Sequence, residues 1–273
     1  MNITFIGGGN MANALIAGLT LQGCAPDAIR VVEITPEGRE RLHGKYGVAV
    51  HENIDAPALD SNIVVLAVKP QQLRTVATQL HGKLTGKLVI SIAAGVRAGD
   101  LARWLGGHGQ LVRAMPNTPA MILSGISGLY ALPDVTDEQK QQAEGVLSAV
   151  GTVMWLDHEP QMDAITAVSG SGPAYAFYFM EALEAAAREF GFPAGAARHL
   201  TVETFLGAAK LAAAGDEDLS VLRSRVTSKG GTTERALLSM EENKVKDSIV
   251  RAVKAAAERS RELGDELGKA GQP

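Results

Sequence analysis

Two rhythms of apolar residues divide the chain. In the first, short runs rich in β-branched residues alternate with stretches whose apolar positions recur every three or four residues. The runs are "NITFIG" (2–7), "IRVVE" (29–33), "NIVVLAV" (62–68), "KLVISIAAG" (87–95) and "LVRAMPN" (111–117). Between them the spacing predicts helices over Asn10–Leu21, Pro36–Lys45, Gln71–Leu80 and Ala98–Leu105. Pro36 stands near the start of the second, where a helix tolerates proline best. Strands that are apolar on both faces and separated by helices predict a mostly parallel, doubly wound α/β sheet covered on both sides.

The second rhythm begins after about Trp155. Segments such as "AYAFYFMEALEAAAREFG", "AARHLTVETFLGAAKLAAAG" and "KVKDSIVRAVKAAAERSRELG" are helical in period or propensity, and Gly or Pro punctuates them. No run beyond residue 160 reads as a strand. The expected division is therefore an α/β domain over 1–157 and an all-α domain over 158–273. Alanine, glycine and serine crowd the later helices, which lets helices pack closely. A helical segment of this size buries limited surface alone, so a homodimer through the C-terminal helices is expected.

Composition narrows the class. A chain of 273 residues can support two modest cores. The net charge is −4 with no run of Lys or Arg, which argues against nucleic acid as a partner. A single cysteine, Cys24, excludes an internal disulfide and suits a reducing compartment. The apolar start "MNITFIGGGNMANALIAGL" is interrupted by three glycines and has no basic residue before Arg30, unlike a signal peptide. The apolar stretch around Tyr175 carries Glu181 and Glu184, so no membrane span is expected. The expectation is a soluble cytoplasmic protein, with no metal site.

The candidate chemistry starts at the first strand's end. "ITFIGGGNMANAL" sets Gly7, Gly9 and Ala12 at the spacing of a dinucleotide-binding turn, after a strand and at the mouth of a helix. Gly7 permits the tight turn, Gly9 lets backbone approach a pyrophosphate, and Ala12 keeps helix and sheet close. The helix start adds unpaired N–H groups and partial positive charge. About twenty residues on, where an acid typically meets the adenosine ribose, stands Glu33. A carboxylate there favours NADH over NADPH, but Glu33 can also turn to solvent and leave Thr35 at the ribose; both cofactors stay open. Lys69, Asn117 and Thr118 follow later strands at the same sheet edge, which makes them candidates to line the site.

Carbonyl reduction needs an acid to protonate the new alkoxide. None offers itself in the helical half: from Thr166 to Ala187 there is no Lys, Arg or His. The six histidines fall in polar connections, at the join or in mid-helix. A protonated imine removes the requirement, because it carries its own charge and needs only to be held, dry and aligned, against a hydride donor. A substrate carboxylate would give the site a grip. The stretch "RVTSKGGTTERALL" (225–238) offers one in bare backbone amides and hydroxyls; equally, its Gly-Gly ends one helix and Thr232 or Thr233 caps the next.

The motifs "FIGGGNMANAL", "LAVKPQ", "SIAAGV", "VRAMPNTPA", "AVSGSGPAYAFYF" and "VTSKGGTT", in this order along the whole length, resemble those of the pyrroline-5-carboxylate reductases. The resemblance implies a Rossmann domain, an all-α dimerisation domain, interlocked dimers that can assemble into a decamer, and NAD(P)H-dependent reduction of 1-pyrroline-5-carboxylate to L-proline. By the same resemblance Gly7, Gly8, Gly9, Asn10, Met11 and Ala12 hold the pyrophosphate, while Asn53, Val68, Lys69, Pro70, Ala93, Ala94 and Gly95 line the rest of the cofactor groove. It gives the substrate carboxylate to the amides of Gly230, Gly231 and Thr232, assisted by Ser228, and the ring nitrogen to the Thr233 hydroxyl. One position departs from the family pattern: Lys229 stands where proline is usual. Turned inward, its charge would strengthen capture of a carboxylate; turned to solvent, it changes only loop stiffness. With Lys229 in solvent, Lys229→Pro is expected to alter the Michaelis constant by less than about tenfold, roughly 1.4 kcal/mol, in initial-rate assays.

Overall fold

The apolar runs of the first half become neighbouring strands in a computed structural model that describes residues 1–269. They are β1 (Ile3–Ile6), β2 (Ile29–Val32), β3 (Ala49–His51), β4 (Ile63–Leu66), β5 (Leu88–Ser91) and β6 (Leu111–Met115), followed by β7 (Gly125–Ala131) and β8 (Gly151–Trp155). The sheet order is β3-β2-β1-β4-β5-β6-β7-β8. β1 pairs in parallel with both β2 and β4, Ile3 facing Ile29 on one side and Ile63 on the other. Connections therefore leave β1 in opposite directions, which opens a crevice beyond the carboxyl ends of β1 and β4.

Helices α1 (Asn10–Leu21), α2 (Pro36–Tyr46), α3 (Pro70–Leu80), α4 (Ala98–Trp104) and α5 (Asp137–Ser148) flank the sheet. Successive strand side chains alternate between its two faces. Phe5 and Val65 join Leu15 and Ile16 of α1 and Leu42 of α2 in one buried cluster. Ile6 and Leu66 join Leu73 and Leu80 of α3 and Leu101 of α4 in the other. Each such side chain contributes about 1.5–3 kcal/mol by leaving water, which explains why the strands are apolar throughout.

The sequence pattern left β3, β7, β8 and α5 unread. β7 is antiparallel to β6, the one reversal in the sheet. Only residues 116–124 separate them, and a parallel return needs a crossover of a dozen or more. α5 then carries the chain back so that β8 pairs in parallel with β7; its start is a capping box between Thr136 and Gln139.

Beyond β8 the described residues are helical, as expected: α6 (Gln161–Ile165) widens into a π-turn at Thr166–Gly170, and α7 (Gly172–Glu189), α8 (Ala194–Ala213), α9 (Leu219–Arg225), α10 (Thr232–Glu242) and α11 (Val245–Lys269) follow. The expected division at 157/158 marks where strands give way to helices, but the compact units are cut elsewhere. One comprises Met1–Ser171 with the chain from Ala256 onward; the other is Gly172–Ala255. In the first, the end of α11 is tied down: Ser260 Oγ donates to Asp163 Oδ1 at 2.7 Å, and Arg97 pairs with Asp265 at 2.7 Å. In the second, α7 and α8 form a helical hairpin whose side chains are mostly exposed within the single chain; Ala197 and Thr201 are its buried residues.

Glu159 explains why the first unit runs past residue 157. Its Oε1 accepts from buried Arg113 Nη1 of β6 at 2.9 Å and from the Ala98 N–H, the first amide of α4, at 2.6 Å. Arg97, the α4 N-cap, provides no side-chain cap of its own. One carboxylate thus neutralises a buried cation and caps a helix. Glu159→Ala strands the Arg113 charge and is expected to lower the unfolding free energy by about 3 kcal/mol in urea titration, with Arg113→Met in the same chain recovering most of the loss.

Candidate active site

The crevice is built by backbone coming close to backbone. Gly7 ends β1 at φ +102°, and a Cβ there would lie 2.8 Å from the Ala67 carbonyl oxygen at the end of β4. Only glycine fits both constraints. Gly9 is the N-cap of α1 and offers no side-chain cap, so the first-turn amides of Asn10 and Met11 face outward unprotected. A Cβ on Gly9 would meet nothing within 4 Å, so the space before the helix start is open. Ala12 is buried between helix and sheet. Uncapped amides, open space and a helix start suit a pyrophosphate, so the residues present fit a dinucleotide.

A cavity of about 590 Å³ continues from this turn. Gly7, Gly8, Gly9, Glu33, Asn53, Val68 and Lys69 line it, with Thr35 at its β2 side. Pro70 begins α3 beside Lys69. Further contributors carry no motif: Gln72, Thr75, Val76 and Gln79 project from one face of α3, three or four residues apart. That helical spacing is the signal that would have found them.

Glu33 does more than face the cavity. Its Oε2 accepts from the Gly8 N–H at 3.1 Å, and its Oε1 accepts from the Thr35 N–H at 2.9 Å and the Thr35 hydroxyl at 2.8 Å. Burial pushes the carboxyl up, but the Thr35 and Gly8 hydrogen bonds and the Arg41 charge outweigh it and hold it below the ordinary glutamate value. A lowered folded value means the tie is fully present above the ordinary glutamate range and is lost as pH falls through that lowered value. Thr35 is itself the N-cap of α2, accepting from the Gly38 N–H. The two ribose candidates therefore grip each other rather than compete.

Other expected residues sit apart from this cavity. Ala94 is exposed at the end of β5, whereas Ala93 is buried and Gly95 packs beneath Leu263 and Leu267 of α11. Asn117 is buried; its Nδ2 donates to the Ser169 carbonyl at 3.2 Å and its Oδ1 accepts from the Ile126 N–H at 3.0 Å. Its side chain braces β7 against the π-turn. No histidine lines the cavity.

The "TSKGGTT" loop belongs to the second unit and joins α9 to α10. Neither threonine caps α10: the N-cap is Gly231, which has no side chain to do so, and Thr232 and Thr233 are the first two helical residues. Gly230 turns the chain at φ +72°. The amides expected to hold a carboxylate are not equivalent. The Gly230 N–H donates to Glu234 Oε2 at 2.7 Å, and the Gly231 N–H donates to the Ser228 carbonyl at 3.0 Å. Thr232 and Thr233 are left with first-turn amides that no side chain caps. Ser228 and Lys229 are exposed, and Thr233 is half-buried. Sequence reasoning missed Glu234; a glutamate three residues after a helix N-cap was the available signal.

Residues 159–263 match the family described as pyrroline-5-carboxylate reductase dimerisation, and residues 2–95 match NADP oxidoreductase, coenzyme F420-dependent. A pyrroline-5-carboxylate reductase of Pseudomonas aeruginosa is 44% identical over 268 residues, 98% of each chain. One from Arabidopsis thaliana is 35% identical over 263 residues, 96% of this chain and 95% of its own. Among solved structures, a pyrroline-5-carboxylate reductase from Coxiella burnetii superposes with a TM-score of 0.92 at 42% identity, covering 96% of this chain and 98% of that one. The Plasmodium falciparum pyrroline carboxylate reductase, solved with NADP bound, gives 0.85 at 27% identity, covering 97% and 98%. Likeness of this depth runs through crevice and loop alike, and the chain belongs to the pyrroline-5-carboxylate reductase family.

Proposed function

We infer that this chain reduces 1-pyrroline-5-carboxylate to L-proline, with NAD(P)H as the reductant. The reading rests on kinship over 98% of the chain at 44% identity. A reduced nicotinamide bound in the crevice would supply the hydride that adds to the imine carbon; the nitrogen keeps the proton it arrives with, the resulting amine takes its second proton from water, and oxidised dinucleotide and L-proline would be released. Gly7 to Ala12 hold the pyrophosphate by main-chain amides, and Asn53, Val68, Lys69 and Pro70 bound the groove beyond them. Ala93, Ala94, Gly95 and Asn117 shape the far end of the same sheet edge, Asn117 through its brace to Ser169.

The loop at the start of α10 grips the substrate in this proposal. The amides of Gly230 and Thr232, with Ser228, take the carboxylate at the positive end of the helix; the Gly231 N–H expected beside them is already given to the Ser228 carbonyl. The protonated ring nitrogen donates to the Thr233 hydroxyl, which fixes the plane of the C=N bond. No acid is required, because the proton is already on the substrate. The alternative, reduction of a ketone, would need a proton donor; no histidine lines the cavity, and Lys69 is the side chain there that would have to serve.

The active form is proposed to be a homodimer through the C-terminal helices, with a decamer as a further assembly. Phe177, Tyr178 and Phe190 of α7 and the residue after it are 59%, 72% and 82% exposed in the single chain, more apolar surface than a lone unit keeps in water. Cytoplasmic residence is part of the same proposal; among the described residues no helix is long and apolar enough to cross a membrane.

Thr233→Ala should remove a hydrogen bond to a charged group, about 1.5–3 kcal/mol, and so lower turnover by roughly ten- to hundredfold while dinucleotide affinity stays unchanged in fluorescence titration. Unchanged turnover would reduce Thr233 to a helix residue. Glu33→Ser takes a negative charge from beside the ribose; the ratio of kcat/KM with NADPH to that with NADH should rise by about tenfold, roughly 1.4 kcal/mol, even as both fall from the loosened glycine turn.

A further inference from the structure

We propose that Glu234 is an internal competitor for the substrate's carboxylate: it occupies the Gly230 amide until an incoming carboxylate displaces it, and so sets the affinity for carboxylate-bearing ligands. The inference rests on the reading that the loop before α10 holds the substrate carboxylate, and it adds a specificity-determining residue to that site.

The geometry is specific. A glutamate at the third helical position ordinarily reaches back to the amide of the N-cap. Here that amide, on Gly231, is already turned to the Ser228 carbonyl at 3.0 Å. Glu234 therefore reaches one residue further, to the Gly230 N–H at 2.7 Å. The acceptor is a carboxylate oxygen, the same chemical group that the substrate brings, and one N–H cannot serve both with good geometry.

The contact is also easily undone. Gly230, Ser228 and Lys229 are exposed and Glu234 is partly so, which means that rotating the glutamate away breaks no packing. Among the described residues no lysine or arginine forms an ion pair with Glu234. Its hold is the Gly230 amide and the partial positive charge of the helix start. An external carboxylate meets that same attraction and finds two further amides, on Thr232 and Thr233, without a side-chain cap. A carboxylate-free cyclic imine meets none of it and leaves Glu234 in place. Occupancy by Glu234 lowers apparent affinity in proportion to the fraction of molecules it closes.

The test is a variant series measured with 1-pyrroline-5-carboxylate, with carboxylate-free 1-pyrroline, and by calorimetric titration of L-proline into enzyme saturated with oxidised dinucleotide. Glu234→Ala should lower KM for 1-pyrroline-5-carboxylate and Kd for L-proline by about three- to tenfold, with kcat little changed and 1-pyrroline unaffected. Glu234→Asp keeps the charge but loses the reach, and should behave like alanine. An aspartate variant that behaves like wild type would show charge repulsion rather than occupancy and overturn the proposal. A raised KM in Glu234→Ala would make Glu234 a brace of the loop and overturn it as well. Thr232→Pro separates this inference from the reading beneath it. Proline suits the first helical position, and Gly231 is already extended at φ −87°, ψ 174°, as a residue before proline must be. Loss of the Thr232 N–H should raise KM about tenfold with dinucleotide binding intact. If Thr232→Pro does so and the Glu234 series leaves KM and Kd unmoved, the competitor is refuted and the loop's role stands. If Thr232→Pro also has no effect, the loop does not hold the carboxylate, and both fall.

Discussion

The backbone amide is the element on which both halves of this protein depend. Every helix start leaves N–H groups without partners, and each must find a side chain, water or a ligand. At α1 and α10 the chain places glycine at the N-cap and so forgoes a side-chain cap at both. In each case a glutamate engages the glycine amide just before that N-cap: Glu33 takes Gly8, and Glu234 takes Gly230. The amides one and two residues into the helix are left to something else. The two loops have no sequence in common beyond glycine, yet the same arithmetic of donors governs them.

The difference between the two glutamates is one of surroundings. Glu33 holds three hydrogen bonds, with Thr35 locked in turn as the cap of α2, so it is a fixed part of the turn. Glu234 holds a single bond at an exposed loop. A carboxylate with three partners shapes a site; a carboxylate with one can be exchanged for another. That contrast is why the first reads as architecture and the second as a competitor.

Much of this was legible in the chain. Continuous apolar runs separated by period-3.6 helices located the strands around the crevice to within a few residues, because a doubly covered parallel sheet demands apolar residues on both faces. Glycine spacing located the tight turn after β1, since Gly7 is required by a close approach that no other residue permits. What escaped was fixed by partners distant in sequence. β7 contains glycines and serine and becomes a strand through its antiparallel pairing with β6 and its parallel pairing with β8. Asn117 reads as a turn residue, and its brace to Ser169 spans half a hundred positions. Glu159 lies beyond the apparent boundary, yet it neutralises Arg113 and caps α4. The TTER start of α10 reads as a threonine cap, whereas the fold moves the cap one residue back to glycine.

That one-residue shift bears on the chemistry. A threonine cap would turn its oxygen inward to quench the first-turn amides. With glycine in that place, Thr232 and Thr233 enter the helix and their amides stay available at its positive end. A helix start attracts a carboxylate and repels a cation. In the proposed reaction the substrate carries one of each, so the field orders it: carboxylate toward the amides, protonated imine away from them. The Thr233 oxygen, one position into the helix, then accepts from the imine nitrogen as the carboxylate seats. On this proposal, amides and one hydroxyl orient a small dipolar ring, and the positive charge of the imine stays unopposed where the hydride must arrive.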